Sequence, residues 1–74
     1  MPSEEELLPI FGNNIRNVRI AKGLQQEEVA EKVGLSEEQY RLIEEGKLDI
    51  EVTTYYKIAA ALGLDKPSVL LEGG

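Results

Sequence analysis

Gly23, Gly34, Gly46 and Gly63 punctuate this chain at intervals of one short helix each, and no other feature limits the fold as much. Ahead of each glycine the apolar residues recur at helical spacing, and a glycine just past such a run supplies the left-handed residue that closes a helix. From about Ile10 to Lys22, Phe11, Ile15, Val18 and Ala21 share one face before Gly23. From Gln26 to Val33, Val29, Ala30 and Val33 do the same before Gly34. Ser36 is a good N-cap with Gln39 at capping-box spacing, and Tyr40 and Ile43 then turn inward before Gly46. A fourth run, about Val52 to Leu62, points Val52, Tyr55, Ile58, Ala59 and Leu62 inward before Gly63, and Pro67 opens a last short helix through Leu71. No stretch alternates with the period of a strand. The expected fold is all-α, a compact domain of five short helices.

The opening residues read differently. Ser3 and Glu6 have capping-box spacing and acids fill the first turn, but Pro9 interrupts, which predicts a short turn or fraying helix. The expected division is an acidic N-terminal extension over 1–9 and one helical domain over 10–72.

Composition narrows the chemistry. Seventy-four residues make one small domain with a single core, and an apolar share of 42% is enough to pack one. The chain has no cysteine and no histidine, which removes disulfides, the usual zinc ligand sets and the commonest catalytic base and thiol nucleophile. No pairing of carboxylates, tyrosine or lysine rises above what helical surfaces show by chance, so no catalytic residue, no metal site, no cofactor and no enzymatic activity are expected. No apolar run approaches the ~20 residues that span a bilayer, and no basic-then-apolar leader opens the sequence, so the expected setting is cytoplasmic, away from membranes.

The most specific stretch runs from Gly23 to Lys47. Two short helices, at about 25–33 and 36–45, are separated by Val33-Gly34-Leu35-Ser36, a helix, tight turn, helix unit with apolar Leu35 inside the turn. Here the chain resembles the Cro/C1-type (XRE-like) helix-turn-helix family. The segments that carry the resemblance are "IRNVRIAKGLQQEEVAEKVGLS", "YRLIEEGK" and "YKIAAALGL", over roughly residues 10 to 71. The resemblance implies a lambda-repressor-like fold and a transcription regulator that binds double-stranded DNA as a homodimer, with the third helix in the major groove.

Residue by residue, the resemblance implies the following roles. Gln26, at the start of the second helix, matches a position that hydrogen-bonds a DNA phosphate, where helix amides and dipole also favour an anion. Arg19 and Glu44 match a structural ion pair joining the first helix to the end of the third. Glu37, Glu38 and Leu42 hold the positions that touch base edges, with Gln39 and Arg41 alongside. Lys47 in the following loop and Arg16 on the first helix match backbone contacts. Glu27 and Glu31, one turn apart on the second helix, stand where some relatives touch RNA polymerase.

Two features oppose that implication. The formal net charge is −6, whereas counterion release from phosphate rewards a basic face. Glu37 and Glu38 enter a groove of strongly negative potential, in which a glutamate accepts only from the cytosine amino group; both also sit where acids stabilise a helix start. Tyr55 and Tyr56, with Ile20, Leu48 and Ile50, offer apolar area for a dimer surface. The leading expectation is a sequence-specific, repressor-like DNA-binding regulator. The alternative is a protein-interaction module of the same fold, antitoxin-like, bridging or redesigned, with weak or lost DNA binding.

Overall fold

The computed structural model describes residues 4–66 and Leu70. Among them are four helices, α1 (Glu4–Ala21), α2 (Gln26–Val33), α3 (Glu37–Glu44) and α4 (Val52–Ala61). The fold is all-α, as expected. The fifth helix expected over 67–71 lies outside the described residues except for Leu70. The Leu70 side chain is fully buried, and its backbone carbonyl accepts a 2.8 Å hydrogen bond from Asn14 Nδ2 of α1.

The glycines close the helices as their positions suggest. Gly34 adopts φ 85, and its amide donates back to Ala30 and Glu31, so α2 ends and the chain turns sharply toward α3. Leu35 is half-buried against the core inside that turn and donates its amide to the Ala30 carbonyl at 2.9 Å. Ser36 caps α3, its hydroxyl accepting from Gln39 N at 3.1 Å while Gln39 Oε1 accepts from Ser36 N. Ser36→Ala removes the hydroxyl half of this pair and should lower stability by about 1 kcal/mol, a fall in Tm of roughly 4–8 °C by calorimetry. An unchanged Tm would show that the cap contributes nothing.

A single core forms where the helices meet. Phe11 and Ile15 from α1, Val29, Ala30 and Val33 from α2, Tyr40 and Ile43 from α3, and Ile58, Ala59 and Leu62 on or just past α4 are buried. Fully burying an aliphatic side chain of this size contributes about 1.5–3 kcal/mol. Two expected core positions stand outside it. Ala21, the last residue of α1, is exposed. Val52 is 68% exposed, because it opens α4 with no turn ahead of it to cover its side chain.

The expected break at Pro9 is also corrected: α1 runs through it without interruption. Pro9 is the sixth residue of α1, past the amides that have no intrahelical partner, so it gives up one backbone hydrogen bond. Its backbone is also braced from outside, since a Cβ added to Gly46 would lie 2.8 Å from Pro9 Cα. Gly46, at φ 73, thus ends α3 and seats the first part of α1 at once.

Candidate nucleic-acid interface

Beyond the shared core, one carboxylate ties the helix-turn-helix unit to α1. Glu44 ends α3 with only 2% of its side chain exposed. Arg19 of α1 grips it in a fork, Nε to Oε2 at 2.7 Å and Nη2 to Oε1 at 3.2 Å. The remaining guanidinium nitrogen, Nη1, donates to the Leu24 carbonyl in the turn before α2 at 2.9 Å. Gln26 at the first position of α2 donates Nε2 to Glu44 Oε1 at 3.0 Å. Three helices therefore meet on one carboxylate, and a bidentate arginine pair fixes orientation as well as distance.

The electrostatics follow from the same geometry. Burial pushes the Glu44 carboxyl up, but the hydrogen bond from Arg19, with Tyr40 and Gln26 beside it, outweighs burial and holds the group below its ordinary range. The Arg19 guanidinium is raised chiefly by its bond to Glu44. Tyr40 is wholly buried; burial first, then the adjacent Glu44 carboxylate, push its hydroxyl well up, so it stays protonated. That hydroxyl faces the pair without a well-aligned hydrogen bond.

Because folding depresses the Glu44 pKa, its contribution to stability is complete above the unfolded glutamate value, about 4.3, and is lost as pH falls through the lower folded value. Urea midpoints should therefore decline from about pH 5 downward, and Glu44→Gln should flatten that decline. A variant with the parent's acid sensitivity would show that Glu44 does not carry it.

On this frame the first turn of α3 stands clear of the core. Glu37, Glu38 and Gln39 are exposed, and Leu42 is half-buried, so the outward projection implied for Leu42 is only partial. Gln39 uses its amide oxygen on Ser36 N, which leaves its amide nitrogen pointing away from the cap as a donor. Gln26 spends one of its two amide N–H groups on Glu44 and keeps the other. Arg16 is exposed on α1, and Glu27 and Glu31 are exposed on α2.

Arg41 and Lys47 are placed differently from free phosphate ligands. Arg41 Nη1 bonds Glu45 Oε2 at 2.6 Å, and Lys47 Nζ bonds Glu45 Oε1 at 3.2 Å. Glu38 lies 3.8 Å from Arg41 Nη2. Glu45, to which the sequence reading assigns no role, is the centre of this cluster; its position four residues after Arg41 is the signal that marks it. The apolar residues suggested as a dimer surface separate into two groups. Ile20 and Tyr56 are 55% and 56% exposed, whereas Leu48, Ile50 and Tyr55 pack partly against the core. Tyr55 lies 5.2 Å by ring centroid from both Phe11 and Tyr56.

Four packed helices, a sharp glycine turn between α2 and α3, and an exposed third-helix start on a buried ion-pair frame define a helix-turn-helix domain. The helix-turn-helix family model HTH_3 matches residues 15–67. The chain belongs to this family, the Cro/C1-type (XRE-like) DNA-binding transcription regulators. It is 34% identical over 71 residues to a hypothetical transcription factor of Neisseria meningitidis, covering 96% of this chain and 67% of that protein. It is 36% identical over 59 residues to the HTH-type transcriptional regulator y4dJ of Sinorhizobium fredii, covering 80% and 77%. Its structure superposes on that of the restriction-modification controller protein C.AhdI from Aeromonas hydrophila with a TM-score of 0.80 and 35% identity, covering 85% of this chain and 94% of that one. The crystal structure of the Neisseria factor gives a TM-score of 0.83 at 33% identity, covering 97% and 82%. Family and fold are those of transcription regulators rather than enzymes. Among the described residues no helix is long and apolar enough to cross a membrane, and no three or more acidic side chains cluster as metal ligands would.

Proposed function

We propose that this chain is a repressor-like regulator that binds specific duplex DNA as a homodimer, each copy placing α3 in the major groove. The observation that carries this reading is the exposed first turn of α3 held rigidly by the Arg19–Glu44–Gln26 junction. A reading helix must be fixed within a fraction of an ångström for its side chains to select bases, and a three-helix anchor supplies that. The domain measures 32 × 24 × 21 Å, so two copies fit side by side on half-sites about 34 Å apart.

Within this reading the spare N–H of Gln26 reaches a phosphate, aided by the unpaired amides at the start of α2. The Gln39 amide and the Arg41 guanidinium donate to base edges or nearby phosphates, and Leu42 meets a thymine methyl. Lys47 and Arg16 contact the backbone. Glu37 and Glu38 chiefly stabilise the start of α3, by a few tenths of a kcal/mol each. Glu27 and Glu31, exposed together on α2, face a protein partner such as RNA polymerase. The protein-interaction reading is favoured by one observation, the pairing of Arg41 and Lys47 with Glu45, which reduces the cationic surface open to phosphate.

Selection from a random duplex library tests the proposal. The expected product is a bound sequence with two inverted half-sites about one helical turn apart; a folded protein that enriches nothing would favour the protein-interaction reading. The paired change Glu37→Gln with Glu38→Gln should raise binding to all sequences while lowering Tm slightly. Loss of binding confined to the selected site would instead make these glutamates cytosine readers.

A further inference from the structure

Glu45 occupies an unusual place for an acid on a surface meant for phosphate. It is the C-cap residue of α3, and its two carboxylate oxygens are divided between two cations, Oε2 to Arg41 and Oε1 to Lys47. The backbone builds this arrangement. Arg41 lies one helical turn before Glu45, and the left-handed Gly46 folds the chain back so that Lys47 N donates to Leu42 O at 2.9 Å. That reversal brings the Lys47 ammonium alongside the carboxylate. Glu38, 3.8 Å from Arg41 Nη2, adds a second and longer-range hold on the guanidinium.

We propose that Glu45 is a built-in competitor for DNA phosphate, a carboxylate clamp that occupies Arg41 and Lys47 in the free protein and so suppresses binding to non-target duplex. The inference rests on the DNA-binding reading above. A carboxylate and a phosphodiester offer the same cations the same kind of anionic oxygen, so Glu45 competes with phosphate for their charge and holds both heads in place, although each keeps further N–H donors. Electrostatic contacts to phosphate supply essentially all of non-specific affinity, whereas base contacts add to it only at a target site. A clamp on the phosphate ligands therefore penalises every sequence, and a target offsets it through Gln39, Leu42 and the freed Arg41. Because the penalty is common to all duplexes it leaves the ratio of target to non-target affinity unchanged, and its effect is to lower non-target occupancy in absolute terms while the target stays bound. Hydrogen bonds from Arg41, then Lys47, hold the Glu45 carboxyl below its ordinary range, so the clamp is charged throughout the physiological window.

The test compares the parent with Glu45→Gln and with Asp65→Asn, a change of equal charge at an exposed position beyond the end of α4. Binding to a mixed-sequence duplex is titrated at about 50 mM and about 200 mM salt. Glu45→Gln should bind roughly three- to tenfold more tightly at the lower salt, with the gain shrinking at the higher as exposed pairs are screened. Asp65→Asn should gain clearly less. A Glu45→Gln protein that binds no better than Asp65→Asn overturns the proposal. A second readout needs no DNA: by carbon NMR the Glu45 carboxyl should titrate below the ordinary glutamate range in the parent and return toward it in Arg41→Gln with Lys47→Gln. Ordinary titration in the parent overturns the clamp whether or not DNA is bound. A low Glu45 titration with no DNA binding by any folded variant instead overturns the DNA-binding reading, and the proposed role with it.

Discussion

Replacing Gly12 with alanine should cost the domain on the order of 3 kcal/mol and lower its Tm by roughly 15–20 °C. In an exposed helix the same change is favourable by up to ~1 kcal/mol, because alanine forms helix better than glycine. Here the sign reverses. A Cβ at position 12 would lie 2.4 Å from the Ile43 carbonyl oxygen and 2.6 Å from that of Glu44. Both obstacles are backbone, so no side-chain rotation relieves them, and α1 must withdraw from the end of α3. Total stability for a chain of this size is on the order of 4–11 kcal/mol, so the loss is a large part of it. Withdrawal would also lengthen the Arg19–Glu44 bonds, since both elements meet there. Calorimetry that shows an unchanged or raised Tm for Gly12→Ala would contradict the close packing of α1 on α3.

Arg19→Met should be comparably severe. It leaves the Glu44 carboxylate, 2% exposed, with Gln26 as its remaining hydrogen-bond donor and no counter-charge. Stranding a buried charge in this way costs about 3–5 kcal/mol, more than the intact pair contributes over an apolar substitute. Two consequences distinguish this account from simple loss of packing. Combining Arg19→Met with Glu44→Met should recover most of the loss, whereas packing defects at the two sites would add. The pH dependence should also invert. Without Arg19, burial, the largest influence on Glu44, is opposed only by Tyr40 and Gln26 and should raise its folded pKa above the unfolded value, so the deficit of the single variant shrinks as pH falls through that raised value. Urea denaturation of parent, single and double variants at about pH 7 and pH 4 measures both. Additive losses, or a deficit that grows in acid, would show that the carboxylate is not the source.

Much of this architecture is legible in the sequence, for identifiable reasons. The bounds of α2, the Ser36 cap with Gln39 and the left-handed glycines are local properties, set by side chains within a few residues of one another. The family match also carries local pattern, and so locates the turn and third helix well. What the sequence hides is long-range. Pro9 reads as a stop because its lost amide is visible in the sequence, while the bracing of its backbone by Gly46 is not. Gly12 goes unnoticed because no φ requirement marks it; its constraint is the approach of two carbonyls on α3. Val52 has the right letter and phase for the core, but opens its helix where no neighbour covers it. At the candidate interface, Arg41 and Lys47 read as available cations; the four-residue spacing from Arg41 to Glu45 is visible in the sequence, but the Lys47 contact depends on the backbone reversal at Gly46.

The central claim is that the exposed start of α3, on its three-helix anchor, meets duplex DNA. Its most direct test is a binding titration on duplex DNA at about 50 mM and about 200 mM salt, with folding verified in parallel. Arg16, Arg41 and Lys47 on each of two protomers give about six phosphate contacts, hence a slope near −5 in log affinity against log salt and a roughly thousandfold loss between the two conditions. That loss is the expected result. A folded protein that binds no duplex at the lower salt, or binds equally at both, would contradict the claim.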